Sequence, residues 1–184
     1  DLTEDAFDED GFYCIGDAAR FEDQNNPKRG IIFDGRVSEN FKLSSGTWVF
    51  VGGLRTEVVS ASPNIIQDAV ITGHDREALG LLIFPNVAGC RMLCRNLKEA
   101  VSLAELIQMG NVQDPLKAAI KNYNMDNPAS STRISRALMM EEPPSIDAGE
   151  ITDKGYLNQR AVLARRADLI DKLYSEDQSV IIFE

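Results

Sequence analysis

A carboxylate placed directly after a glycine, at the end of an apolar run, can accept two hydrogen bonds from a vicinal diol such as that of a ribose. Asp17 stands so in Tyr13-Cys14-Ile15-Gly16-Asp17. The plainer reading is an Asp that caps the next turn. A second segment of interest runs from Gly35 to Trp48. Arg36 and Lys42 offer cations there, and Gly35 and Gly46 let backbone approach a ligand. An exposed hairpin with solvated charges accounts for the same residues without one. The third is Glu150 to Arg160, where Lys154 precedes Gly155 and can serve as a mobile cation for a phosphate or carboxylate. Most loop lysines of this kind are merely solvated.

Other reactive side chains carry less. His74 is the single histidine, which excludes a histidine-based metal cluster, and the lone pair Cys90 and Cys94 is a poor zinc signal. No metal site is expected. His74 reads as an exposed turn residue. Cys14, Cys90 and Cys94 suit a reduced, cytoplasmic protein better than a disulfide framework, and no base near them is evident to make a nucleophile.

The elements that must position these groups are mixed. Short strands are predicted at Phe12 to Ile15, closed by Gly16-Asp17, and at Ile31 to Phe33, ended by Asp34-Gly35. Trp48 to Val51 is β-rich and follows a hairpin turn at Gly46. A helix from Leu54 to Ser62 is stopped by Pro63. Buried strands at Ala69 to Ile71 and Leu81 to Phe84 flank a turn at Gly73 to Arg76. Leu97, Val101, Ala104 and Ile107 predict a helix over 96–110, capped by Gly110. Asp114-Pro115 then opens a second helix through Tyr123. Arg133 to Met140 suits a strand and Glu141 to Gly149 a proline-bearing loop. Leu163, Ala167, Ile170 and Tyr174 mark one face of a closing helix. The lack of regular βαβ alternation makes the fold class α+β.

The 184 residues suffice for one large domain, or one domain with a remnant of another. With 43% hydrophobic and 26% charged residues the balance is that of a globular chain. A net charge of −10 has the wrong sign for non-specific nucleic-acid or anionic-membrane binding. No apolar run suits a membrane span, and no signal-peptide pattern is expected from the opening residues. It begins at Asp1 rather than Met, as expected of a processed chain or of a piece of a longer one.

Taken in order, Tyr13-x-x-Gly16-Asp17, Gly35-Arg36, Lys42 to Gly46 and Thr152-x-x-Gly155 resemble the tail of the adenylate-forming superfamily of acyl-CoA synthetases, peptide-synthetase adenylation domains and luciferases. Phe41-Lys42-Leu43 and the tail from Asp153 to Leu163 are similar to acyl-CoA synthetases of the feruloyl-CoA synthase type. The resemblance implies an ATP-dependent, AMP-binding acid–thiol ligase. A carboxylate attacks the α-phosphate of ATP to give acyl-AMP and pyrophosphate, and the thiol of CoA then displaces AMP. It implies that Asp17 and Arg36 bind the ribose of AMP or ATP and that Ser38 is a hinge. Gly46, Thr47 and Trp48 would line the channel for the pantetheine arm of CoA. Glu57 matches an acidic residue of the following helix, structural in role.

The family's phosphate-binding loop, acyl pocket and adenine-binding segments are missing from these residues. The chain therefore resembles the small mobile C-terminal lid, 38–184, a short β-sheet flanked by helices. Residues 1–37 would be a β-rich remnant of the large N-terminal domain, which is the expected partner. Mg2+ is expected with ATP, with no ligands in this chain, and the chain alone is expected to be inactive. The family's Thr-x-x-Gly-Lys pattern is broken, because Tyr156 stands where the lysine belongs. Lys154 is the expected substitute, on the premise that residues two apart in extended backbone point to one side. Two alternatives stay open: delivery of the acyl group to a carrier protein, and a non-catalytic interaction domain.

Overall fold

The computed structural model describes residues 6–94 and 101–183. Strands β1 (Asp17–Phe21) and β2 (Ile31–Arg36) form an antiparallel ribbon. A 3-10 turn at Val37–Glu39 leads to the small hairpin of β3 (Phe41–Lys42) and β4 (Trp48–Val49), and helix α1 (Val51–Ala61) follows. Strands β5 (Ile66–Thr72) and β6 (Leu79–Pro85) are antiparallel, and their apolar runs reflect cover on both faces. Helices α2 (Val87–Leu93), α3 (Leu103–Ile107) and α4 (Gly110–Asp126) then carry the chain over to β7 (Ile134–Met139), which lies parallel to β6. Helices α5 (Gln159–Arg165) and α6 (Ala167–Leu173) precede β8 (Ile181–Ile182), antiparallel to β7.

The resulting sheet has the order β5-β6-β7-β8, and its pleat divides the interior in two. Ala69, Ile71, Leu81, Ile83, Ala137 and Met139 face α1, α2, α3 and α4, where Leu54, Val58, Cys90, Leu106, Leu116 and Ile120 are buried. Val70, Leu82, Phe84, Leu138 and Met140 face the other way, against Leu157, Val162 and Leu173. The α+β class stands.

Several element boundaries differ from expectation. Phe12 to Ile15 is no strand: Tyr13 makes only an isolated bridge to Phe7, and pairing proper starts at Asp17. Strand β2 runs on through Asp34-Gly35 to Arg36. Of the helix expected over 96–110, residues 96–100 lie outside the described residues. Within the remainder Ser102 caps α3 through a reciprocal box with Glu105, whose side chain accepts from the Ser102 N–H at 2.9 Å. Gly110 opens α4 instead of closing α3, and Asp114 is not its cap. Val112, Leu116 and Ile120 form one buried stripe that starts ahead of Pro115, so packing extends the helix past a poor residue. The closing helix is two helices, broken at Arg166, whose φ of −109° and ψ of 37° leave the helical region.

Candidate functional site

The ribbon sets Asp17 directly opposite Arg36. Opposed residues of an antiparallel pair project from one face of the ribbon, so Asp17 and Arg36 share a face. Both residues are exposed. The Val37 N–H donates to the Gly16 carbonyl at 2.9 Å and continues the pairing beyond them. A β-bulge between Asp17 and Ala19 sets this register.

Ser38 lies exposed in the 3-10 turn that joins the ribbon to the rest of the chain. Just after it, Asn40 Oδ1 accepts the first helical N–H of α1, from Val51, at 3.0 Å. Burial raises the pKa of Glu39, opposed by the charges of Arg55 and Arg36. Arg55 itself grips Asp68 with two hydrogen bonds of 2.7 and 2.6 Å.

Gly46, Thr47 and Trp48 share the β3–β4 hairpin, as expected. Gly46 has φ +82° with nothing within 4 Å of the place a Cβ would take. Its N–H donates to the Leu43 carbonyl at 2.9 Å, and Ser45 and Thr47 join hydroxyls at 2.9 Å. Lys42 Nζ lies 4.9 Å from the centre of the half-exposed Trp48 ring. The turn at Gly73 to Arg76 buttresses the hairpin, the Ser44 N–H donating to the Arg76 carbonyl at 2.9 Å. His74 is exposed in that turn, its Nδ1 3.0 Å from Asp75. Glu57 is exposed on α1 and lies 3.5 Å from the Tyr123 hydroxyl, which fits a structural role.

Lys154 is exposed on a separate loop. Ile151 and Leu157 bridge at its stem, and the Thr152 N–H donates to the Tyr156 carbonyl at 2.8 Å. The Gly155 N–H donates to the Thr152 carbonyl at 2.8 Å, which closes a turn. The extended backbone assumed for Lys154 and Tyr156 is therefore not found: glycine at φ +80° lets the chain reverse there. Lys154 reaches solvent from the tip of a turn, and Tyr156 follows it on the returning limb.

Phe41, Leu43 and Val49 of the hairpin belong to the core beneath α1, and Leu157 of the lysine loop belongs to the core beneath α5 and α6. The fold thus unites Asp17 with Arg36, and Gly46 with Trp48, but holds Lys154 on the opposite side of the sheet from the hairpin.

Sequence reasoning missed the anchor of the lysine loop. The Glu150 side chain has no solvent exposure and accepts from Arg166 Nε at 2.8 Å and Nη2 at 2.9 Å. Arg165 Nη1 at 3.1 Å and the Ser145 N–H at 2.7 Å complete its shell. The Arg166 bonds, opposed by burial, hold the Glu150 carboxyl down to about 2. The available signal was a lone Glu between Gly149 and Ile151, with Arg165-Arg166 interrupting an apolar repeat.

Among the described residues no group of three or more His, Cys, Asp or Glu is arranged to hold a metal ion. The described side chains thus offer Mg2+ no cluster of carboxylate ligands. Burial, with Cys94 adjacent, pushes the Cys90 thiol up to about 11, so it is a packing residue. Among the described residues no helix is long and apolar enough to cross a membrane.

The chain is similar to the probable acyl-activating enzyme 16, chloroplastic, of Arabidopsis thaliana, at 23% identity over 94% of this chain and 24% of that protein. It is 25% identical to the long-chain-fatty-acid–CoA ligase ACSBG1 of Homo sapiens over 97% of this chain and 26% of that one. It spans about a quarter of the length of these curated relatives. The adenylation domain of a carboxylate reductase from Mycobacterium chelonae has the same fold, with a TM-score of 0.68 at 19% identity, covering 94% of this chain and 24% of that chain. The family model described as AMP-binding enzyme C-terminal domain matches residues 50–178, most of the chain. The chain belongs to the AMP-binding enzyme C-terminal domain family, and so to the adenylate-forming enzymes.

Proposed function

We propose that residues 38–184 are the mobile lid of an ATP-dependent acid–thiol ligase and that residues 1–37 belong to its large N-terminal domain, with the hinge at Ser38. One observation carries this reading. The hairpin of Gly46 and the loop of Lys154 are rooted on opposite faces of one sheet. A lid that serves two half-reactions in turn needs one functional element on each face. The exposed Ile31 and Phe33 of the ribbon support its assignment to a larger body, since apolar side chains in that number ordinarily meet a partner surface.

In the first half-reaction, the carboxylate oxygen of the acid attacks the α-phosphorus of ATP, and the bond to pyrophosphate breaks. Asp17 accepts hydrogen bonds from the ribose hydroxyls and Arg36 supports the same ribose, which fixes the nucleotide for in-line attack. Lys154 brings a cation to the α-phosphate, where negative charge accumulates. Rotation at Ser38 then withdraws Lys154 and presents the hairpin. Gly46, lacking a side chain, leaves a path beside Thr47 and Trp48 for a pantetheine arm. Its thiol adds to the acyl carbonyl and AMP leaves.

Two acids are supported by different observations. The tail from Asp153 to Leu163 favours an aromatic, feruloyl-type acid. The names of the relatives favour a long-chain fatty acid. CoA is the proposed acceptor, with a holo-acyl-carrier protein the other, since one relative is by name a ligase to that protein. The three free cysteines are consistent with a cytoplasmic setting.

The test uses the complete enzyme with ATP, ferulate or palmitate, and CoA or holo-carrier protein. Acid-dependent pyrophosphate release followed by thioester formation is expected, with ferulate and CoA preferred. Binding without pyrophosphate release from either acid would favour a non-catalytic interaction domain and overturn the proposal. The chain alone should release none.

A further inference from the structure

We infer that the buried Glu150–Arg166 pair is the positioning device for the Lys154 loop, an inference that rests on the reading of Lys154 given above. Glu150 is where two segments meet. Its N–H donates to the Ser145 carbonyl at 2.9 Å, which fastens the loop Glu141 to Gly149. Its carbonyl accepts from the Asn158 N–H at 2.8 Å, which closes the stem below Ile151 and Leu157. The lysine stands four residues beyond Glu150, on backbone that the turn itself holds.

The side chains fix the stem to the sheet. Arg166 Nε and Nη2 fork onto the two carboxylate oxygens. Its remaining donors meet the Glu142 carbonyl at 3.0 Å, the Pro143 carbonyl at 2.9 Å and the Met140 sulfur at 3.4 Å. Every guanidinium donor direction is thus used. The guanidinium also lies 5.0 Å from the centre of the Phe84 ring, at the end of β6. Arg166 is only 4% exposed and occupies the break between α5 and α6.

A solvent-exposed lysine on a free loop would sample many positions, and only a small share of them would meet a phosphate. A stem locked by a buried, fully satisfied ion pair narrows that range. Glu150 and Arg166 touch no reacting atom and act through the lysine.

Glu150→Gln keeps the shape but turns an amide N–H toward arginine donors. Arg165→Met is milder, since it removes only one outer bond to Glu150 from a half-exposed residue. The first readout is tryptic cleavage after Lys154 in the 184-residue chain, against cleavage after the exposed Arg29 as internal reference. Glu150→Gln should speed the cut after Lys154 by ~10-fold or more and Arg165→Met by a few-fold, each with the Arg29 cut unchanged, as for a local opening. If Glu150→Gln does not fold, Arg165→Met decides.

The second readout is the complete enzyme. Arg165→Met should lower kcat for acyl-AMP formation by ~10-fold, leave the KM for ATP unchanged and spare thioester formation from supplied acyl-AMP. In a Lys154→Ala background it should add no further loss. Unchanged cleavage after Lys154 in Arg165→Met would overturn the inference, as would equal losses in both half-reactions. If Lys154→Ala itself leaves adenylation intact, the catalytic reading of the lysine falls, and the cleavage result still decides the positioning role.

Discussion

A Cβ on Gly35 would stand 2.6 Å from the Cα of Gly52, so β2 and the first turn of α1 meet backbone to backbone. Gly35 also has φ +86°, a left-handed conformation that L side chains resist. This contact joins the ribbon to α1 on the chain's way into Ser38. Gly35→Ala is expected to loosen the ribbon from α1 while leaving the four-stranded sheet intact. The conformation alone costs about 1–2 kcal/mol, and the clash adds to it. Gly46→Ala meets the same conformational cost with open space around it. Hydrogen exchange at β1 and β2 should therefore rise more in Gly35→Ala than exchange at the β3–β4 hairpin rises in Gly46→Ala. Equal effects would show that the Gly52 contact contributes nothing.

The thiols provide a quick check on packing. Cys14 is exposed, whereas Cys90 and Cys94 are buried, and Cys90 is pushed up to about 11. A thiol-specific reagent at pH 8 should modify Cys14 alone in the folded chain, and all three in denaturant. Fast modification of Cys90 in the folded chain would mean that α2 does not sit on the sheet as described.

Acid should weaken the fold through Glu150. Its carboxyl is held down to about 2, by Arg166 above all, against an unfolded value of ~4.3. A lowered folded pKa gives stability that is complete above the unfolded value and lost as pH falls toward the folded one. The urea midpoint should therefore show no part of this loss between pH 7 and 5 and should drop between ~4.3 and 2, by on the order of 2–3 kcal/mol when complete. Amides of the segment from Glu142 to Asn158 should lose protection before those of β5 to β7. A midpoint unchanged down to pH 2 would contradict the pairing.

What was legible in the sequence follows from how local its cause is. Strands β5 and β6 announce themselves as apolar runs around a turn, because their burial is a property of each segment alone. Ser102-x-x-Glu105 is an equally local signal, but a helical period read through it hid the cap. The split at Arg166 and the depth of Glu150 depend on a partner 16 residues away, and periodicity does not encode that distance. The register that sets Asp17 against Arg36 depends on a bulge, which no residue type in Asp17-Ala18-Ala19 declares. The order of the motifs made Asp17, Arg36, Gly46 and Lys154 candidates through a family resemblance, which does not depend on pairing. It gave no account of what holds Lys154 in place.

Lys154 carries the sharpest expectation. Adenylation brings an anionic carboxylate to an anionic α-phosphate, and charge builds further on the phosphoryl oxygens in the transition state. A cation delivered there stabilises the transition state more than the separated reactants. Lys154 is exposed at the tip of a closed turn, free of the stem contacts that anchor Glu150, so its removal leaves the fold unchanged. Lys154→Ala in the complete enzyme should slow acyl-AMP formation by ~10²–10³-fold, the scale for losing one strong electrostatic contact. Thioester formation from supplied acyl-AMP should persist, since that step is proposed for the hairpin of Gly46, which is rooted on the other face of the sheet. Tyr156→Phe should change either rate little, because a phenol offers no cation. Lys154→Arg should recover part of the loss, since it restores charge but not the compact ammonium. Normal adenylation in Lys154→Ala, measured as acid-dependent pyrophosphate release, would remove the lysine from the mechanism and leave the turn as a structural loop.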